Sequence, residues 1–199
     1  MERISLIKKT RSVAVMHAIR VLARGGVVVF PTETSYGLGA DAMNPKAIAR
    51  IVAVKGRDAQ KALSVLMASQ TMARRYAILT PGARRLWTHF LPGPLTLVLP
   101  SRDHATTWGV RVSSHPFAHA LVRGYGKPIT ATSANVSGNP PLYDPDAILR
   151  AFARRRVKPD LLIDAGVLPE RPSSTVVDCT GDALRILREG AIPSGDLHV

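Results

Sequence analysis

A change of period in the apolar pattern near the N-terminus constrains the fold of this chain more than any other feature. Val15, Ala18, Ile19 and Leu22 recur at helical spacing after Ser12, and Gly25-Gly26 stops them. The next residues, VVVFP (27–31), are an uninterrupted apolar run, the pattern of a strand buried on both faces. A helix leading straight into such a strand is the repeating step of α/β proteins, because each strand needs covering elements on both sides.

The step recurs along the chain. TETSYGLGADAM (32–43) reads as a loop, and Asn44 then caps a helix whose first residue, Pro45, has no N–H to leave unpaired. That helix runs to about Lys55 and ends at Gly56. LSVLM (63–67) reads as a strand, followed by helical pieces from Ser69 and from Pro81. LTLVLP (95–100) and GVRVS (109–113) are strands, Pro116 opens a helix that stops near Gly124, and PITAT (128–132) is the next strand. SANVSGNPPLYDP (133–145) is a long loop of turn formers, and Asp144-Pro145 starts a helix with Ile148 and Phe152 inward. DLLIDA, STVVDC and LRILRE close the chain as strands. Helices and strands alternate early and strands cluster late, so the sheet is expected to mix parallel and antiparallel pairs. The expected fold is one α/β domain over residues 1–199, a twisted mixed sheet flanked by helices, with no repeat or linker dividing it.

Composition narrows the function. A chain of 199 residues can bury a proper core. No run approaches the roughly 18 apolar residues of a membrane span, and the N-terminus lacks an apolar signal region, so a cytoplasmic location is expected. One cysteine, Cys179, makes no internal disulfide. Lys plus Arg outnumber Asp plus Glu by 27 to 14, a net charge of +13. Such an excess fits an anionic partner (nucleic acid, nucleotide or acidic surface), and equally a general bias toward basic solubility. There is no GxxxxGK[ST] loop, and GLG after Tyr36 lacks the third glycine of a dinucleotide turn. His115 and His119 have no evident third ligand, so no metal site is expected. Nothing anchors a Ser/His/Asp or Cys/His arrangement.

Three segments beside strands remain: PTETSYG, KGRDAQK and TSANVSG. Hydroxyl-rich and glycine-containing turns at strand ends converge backbone donors on an oxyanion, and Lys and Arg neutralise phosphate. Each alone also reads as an ordinary turn, a lysine-capped helix end or a serine-rich loop. Together they point to a polyanionic, nucleotide-like ligand. Lys55 is the odd residue: it extends the stripe Ile48, Ile51, Val52, so it points where a core side chain would.

The chain resembles the YrdC/TsaC family of threonylcarbamoyl-AMP synthases. The resemblance runs in order through FPTETSYGLGADA, KGRDAQKALSVL, LPGPLTLVLP, GVRVSSHP, PITATSANVSGNPP, SSTVVDCTG and LRILREGAI. It implies a YrdC-like fold and an ATP-using nucleotidyltransferase. L-Threonine and bicarbonate (or CO2) would give a carbamate, which attacks the α-phosphate of ATP and releases pyrophosphate, with Mg2+ on the nucleotide. Other proteins, the tRNA threonylcarbamoyl transferases, would then modify tRNAs reading ANN codons, and weak direct tRNA binding is left open. Two mutually repelling anions would meet in a cationic cleft, so no protein nucleophile is needed.

Carried over by motif, Lys55, Arg57, Ser133 and Asn135 are the expected catalytic set. Arg57, Lys61, Thr107, Asn135, Tyr143 and Arg188 are expected near ATP, Tyr143 on a loosely matched loop. Thr34, Arg111, Ser133 and Ser174 are expected around threonine, with Arg111 on its carboxylate. In this reading Lys55 points inward because its partner is a ligand's charge. Ala62 stands where the family often has proline. The sequence looks like the family's short form, without the extra domain of longer members, which implies an open cleft and faster loss of the intermediate to water. Two other readings compete: an RNA-binding module without catalysis, using clusters such as RAFARRRVK (150–158), and carbamoyl transfer in hydrogenase maturation, which normally comes with cysteine motifs absent here.

Overall fold

The computed structural model describes residues 1–6, 10–58 and 63–197. Its strands form two mixed sheets flanked by helices rather than one continuous sheet. The first sheet has the order β1-β9-β2-β3-β8, from Glu2–Ser5 (β1), Leu161–Asp164 (β9), Val28–Pro31 (β2), Tyr36–Gly39 (β3) and Thr132–Ser133 (β8). β1, β9 and β2 run parallel, whereas β3 pairs antiparallel with both β2 and β8. The second sheet has the order β11-β10-β5-β6-β4-β7, from Arg185–Arg188 (β11), Thr175–Asp178 (β10), Leu95–Pro100 (β5), Thr107–Arg111 (β6), Ser64–Leu66 (β4) and Ile129–Thr130 (β7). Parallel and antiparallel pairs alternate across it.

The apolar run of β2 is buried on both faces, as its composition requires. Val27 and Val29 point into a cluster with Ala47, Ile51 and Val54 of α2 (Pro45–Lys55) and Ile148 and Phe152 of α6 (Pro145–Ala153). Val28 and Phe30 point the other way, into the larger core with α1 (Arg11–Ala23) and α5 (Pro116–Tyr125). The same core takes Leu95, Leu97, Leu99 and Val110 of the second sheet, covered by α3 (Gln70–Tyr76) and α4 (Pro81–Phe90). Residues one step out of phase on those strands, Thr96 and Arg111 among them, therefore face the opposite side. Burying one face of the second sheet leaves its other face for polar side chains.

Two strand assignments differ from the sequence pattern. YGLG lies in the predicted loop but forms β3, with all four residues buried. Gly39 is there for space: a Cβ on it would sit 2.5 Å from the Phe30 ring and 2.7 Å from Ile129, whereas Gly37, opposite Phe30, has room for one. The predicted strand PITAT is divided. Ile129–Thr130 pairs with β4, Thr132–Ser133 pairs with β3, and Ala131 between them donates its N–H to Ser64 O at 2.7 Å. The chain thus changes sheets within five residues, and that crossing brings the two sheets to one place. β1 was also not marked by its pattern, since only Ile4 of the four is buried.

Filling Gly39 should cost about 1–3 kcal/mol, the usual range for overpacking a tight interior. Gly37→Ala, where the nearest atoms lie at 3.6 and 3.7 Å, should lose less. Urea unfolding of both variants beside the parent chain checks the order.

Candidate active site

Where the chain changes sheets, a cleft of ≈ 240 Å3 opens between the Thr34-Ser35 turn, the 131–133 crossing and the polar face of the second sheet. That face contributes Ser64 of β4, Thr96 of β5, Arg111 of β6, Arg188 of β11 and Ser173-Ser174 before β10. Arg57, just past the end of α2, completes the lining. Three guanidinium groups from three separate elements therefore meet a lining otherwise made mostly of hydroxyls. A larger depression of ≈ 390 Å3 lies on the other side of Thr34, lined by Glu33, Thr34, Ser114 and Arg171 among others. The smaller cleft is the better candidate because the cations converge on it.

Lys55 stands behind the cleft. Asn44 caps α2 by accepting from the N–H groups of Lys46 and Ala47, and Gly56 ends it in the left-handed region at φ 61°. The helix delivers the Lys55 ammonium, 4 % exposed, to three oxygens of one turn: Ser133 O at 2.6 Å, Asn135 O at 3.1 Å and Asn135 Oδ1 at 2.9 Å. An ammonium has three protons, so these acceptors use it fully. The Lys55 carbonyl in turn accepts from Ser137 N at 2.8 Å. Ser133 Oγ also donates to Asn135 Oδ1, and the Asn135 amide donates to Asn139 O. Burial first, and the Arg57 charge second, push the Lys55 pKa down to about 8. Lys55 points inward, as expected, and the partners it has here are the oxygens of the 133–135 turn.

Arg111 is held from behind. Its Nε donates to Glu33 Oε1 at 3.1 Å, its Nη2 to the same oxygen at 2.7 Å, and Nη2 also reaches Thr34 Oγ1 at 3.0 Å. The second Glu33 oxygen accepts from Ser113 Oγ. Burial raises the Glu33 pKa, but the Arg111 charge and the Ser113 and Arg111 hydrogen bonds outweigh it and hold the carboxyl below its ordinary value. Farther along the same sheet face, Arg188 donates to Ser174 O at 2.7 Å and to Ser174 Oγ at 3.2 Å, while Ser174 Oγ lies 2.9 Å from Thr96 Oγ1. Burial and then the nearby Arg111 charge lower the Arg188 pKa, as expected for two cations facing one space.

Of the residues singled out from sequence, Thr34, Arg57, Arg111, Ser133, Ser174 and Arg188 line this one cleft. Asn135 is buried in the turn beside it. Thr107 is exposed at the far end of β6, on the same face as Arg111 but about 13 Å away by strand rise. Tyr143 lies apart, its hydroxyl on Arg171 O at 3.1 Å. Lys61 and Ala62 fall outside the described residues. Sequence reasoning passed over Glu33, Ser64 and Thr96. Thr96, 2 % exposed, had a signal: a hydroxyl inside the apolar run LTLVLP.

Comparison with known proteins identifies relatives of the chain and of its fold. Residues 20–190 match the Sua5/YciO/YrdC family model, described as "Telomere recombination". A threonylcarbamoyl-AMP synthase from Halorhodospira halophila is 37 % identical over 158 residues, spanning 73 % of this chain and 81 % of that protein. The structure of P. abyssi Sua5 complexed with L-threonine superimposes with a TM-score of 0.88 at 33 % identity, covering 98 % of this chain and 59 % of the other. E. coli YciO superimposes with a TM-score of 0.83 at 26 % identity, over 96 % of each chain. The chain spans about three fifths of the Sua5 structure it matches.

The Lys55 environment has a measurable consequence. Its folded pKa, about 8, lies below the ordinary value of 10.5, so the unfolded chain holds this proton more firmly between those limits. Its contribution to stability is therefore fully present above pH 10.5 and is lost as pH falls toward 8. The stability difference between the parent chain and Lys55→Met should shift in favour of the parent from pH 8 to 10.5, read by urea unfolding. A difference constant with pH would contradict it.

Proposed function

The chain belongs to the Sua5/YciO/YrdC family, and on that premise we propose that it is a threonylcarbamoyl-AMP synthase, a nucleotidyltransferase of tRNA modification. The observation that carries the proposal is the convergence of Arg57, Arg111 and Arg188 on one hydroxyl-lined cleft. Threonylcarbamoyl-AMP synthases 37 % identical to the chain and the L-threonine complex of P. abyssi Sua5 support it.

The reaction needs two anions brought together. The threonine amine attacks CO2 derived from bicarbonate, forming a C–N bond and losing a proton. A carbamate oxygen then attacks the α-phosphorus of MgATP, the Pα–O–Pβ bond breaks, and pyrophosphate leaves with the bridging oxygen. In-line displacement of this kind depends on positioning and on cations facing the charge that develops. In this assignment Arg111, Thr34 and Ser174 take the amino acid, with Arg111 on its carboxylate. Arg57 and Arg188 face the phosphates, and the family resemblance gives Lys61, outside the described residues, the same role. Ser133 lies between the two substrates. Thr107 and Tyr143 would meet only the outer parts of the nucleotide. Asn135 and Lys55 shape the turn that presents Ser133, and in this assignment the Lys55 charge, directly behind that turn, belongs to the catalytic set with them. Among the described residues no cluster of three His, Cys, Asp or Glu could hold a metal, so Mg2+ would arrive on the phosphates.

The product is a mixed anhydride that hydrolyses readily, so a tRNA threonylcarbamoyl transferase is the expected consumer. Direct tRNA contact would use the exposed cations Arg150, Arg154, Arg156 and Lys158 around the end of α6. A binding module alone would need that surface and not the cleft. Among the described residues no helix is long and apolar enough to cross a membrane. A cytoplasmic location is proposed with this activity, because the unstable product must reach a transferase that acts on tRNA.

Incubation with MgATP, labelled L-threonine and bicarbonate should yield threonylcarbamoyl-AMP by mass, with AMP and pyrophosphate formation dependent on both other substrates. Arg57→Ala and Arg188→Ala should each lower turnover by about 100-fold or more while the variants stay folded. ATP cleavage indifferent to threonine and bicarbonate would overturn the assignment.

A further inference from the structure

The Glu33 carboxylate is a second element of the threonine end of the cleft that the reaction scheme does not use. Its geometry is specific. Arg111 belongs to the lining of the cleft, whereas Glu33 belongs to the lining of the depression behind it. Glu33 Oε1 takes the Nε–Nη2 edge of the guanidinium, and Thr34 Oγ1 takes Nη2 again. The remaining nitrogen, Nη1, has no acceptor among the described residues and is not sealed off as a buried unpartnered atom, and Arg111 lines the cleft, so Nη1 is the nitrogen left for a ligand there. Glu33 is itself fixed, because Ser113 Oγ donates to its other oxygen. Ser113 is 2 % exposed and also accepts from His115 N at 3.2 Å, which ties the cluster to the start of α5.

We propose that Glu33 is a positioning residue for the amino-acid substrate: it grips one edge of Arg111 from behind, so that the Nη1 edge is presented to a substrate carboxylate. The inference rests on the reading of this cleft as the threonine site. A guanidinium held by one rigid carboxylate loses little freedom when it binds another, and its aim sets where the amine comes to lie. The same carboxylate offsets part of the repulsion between Arg111 and Arg188, two cations on the same sheet face that both line the cleft. Because it sits behind Arg111, Glu33 is a brace and does not compete with ligand for the open edge.

Calorimetric titration with L-threonine, and separately with ATP, tests this on the parent chain, Glu33→Gln and Glu33→Ala. Gln keeps the shape and one oxygen acceptor, so it should weaken threonine binding by about tenfold; Ala leaves Arg111 unbraced and should weaken it by about 100-fold. ATP affinity should move by less than about twofold in both, and kcat at saturating threonine should be largely kept. Should Glu33→Ala fail to fold, the Gln variant alone carries the comparison of threonine against ATP. Equal threonine affinity in parent and variants, tighter binding in the variants, or parallel losses for both ligands would overturn the positioning role. A parent chain that binds no L-threonine would overturn the functional reading and the inference with it.

Discussion

A buried ammonium organises the site. Lys55 arrives at the end of α2 and binds three oxygens of the 133–135 turn, which follows directly on the crossing at Ala131 that carries the chain from one sheet to the other. Without a cation there, Ser133 O would keep only the Asn135 N–H, and Asn135 O would lose the donor it has in Lys55, at the cost of an unsatisfied buried acceptor. The helix needs its Asn44 cap and its left-handed Gly56 to stop where Lys55 meets the turn and Arg57 meets the cleft. Local helix chemistry and site chemistry are therefore one constraint.

The second constraint is charge. Arg57, Arg111 and Arg188 repel one another, and each is borne by a different element, so only the packed fold holds them together. The structure offsets that repulsion locally: Glu33 pairs with Arg111, and Ser174 accepts two Arg188 donors. What is left is a cleft with positive charge already oriented. That is the arrangement that lowers the barrier for a reaction between anions, because no reorientation is needed as charge moves. The core supplies the rigidity, since burying the Leu95-Leu97-Leu99 face of β5 fixes the side on which Thr96 stands.

Much of this was legible in the chain. The doubly buried VVVF run, the Asn44-Pro45 start, the Gly56 stop and the Asp144-Pro145 start all appear as read, because caps and apolar periods are local signals. The inward Lys55 was legible as an anomaly, but its partners were not, since they lie about eighty residues away across the fold. YGLG was misread because two glycines look like a turn when the Phe30 ring that covers them is not visible. PITAT was misread because nothing local marks the point at which a strand changes sheets. Glu33 was missed for a similar reason: a lone acid in a hydroxyl-rich turn has meaning only beside Arg111, and β6 brings the two together.

The central claim is that this cleft is where both anions bind. Amide chemical-shift mapping with ATP and with L-threonine tests it most directly. The account predicts that ATP perturbs residues around Arg57, Ser133 and Arg188, that threonine perturbs those around Thr34, Arg111 and Ser174, and that the two sets adjoin. Perturbations gathered instead on the basic end of α6, with the 131–133 crossing and β6 unmoved, would contradict it.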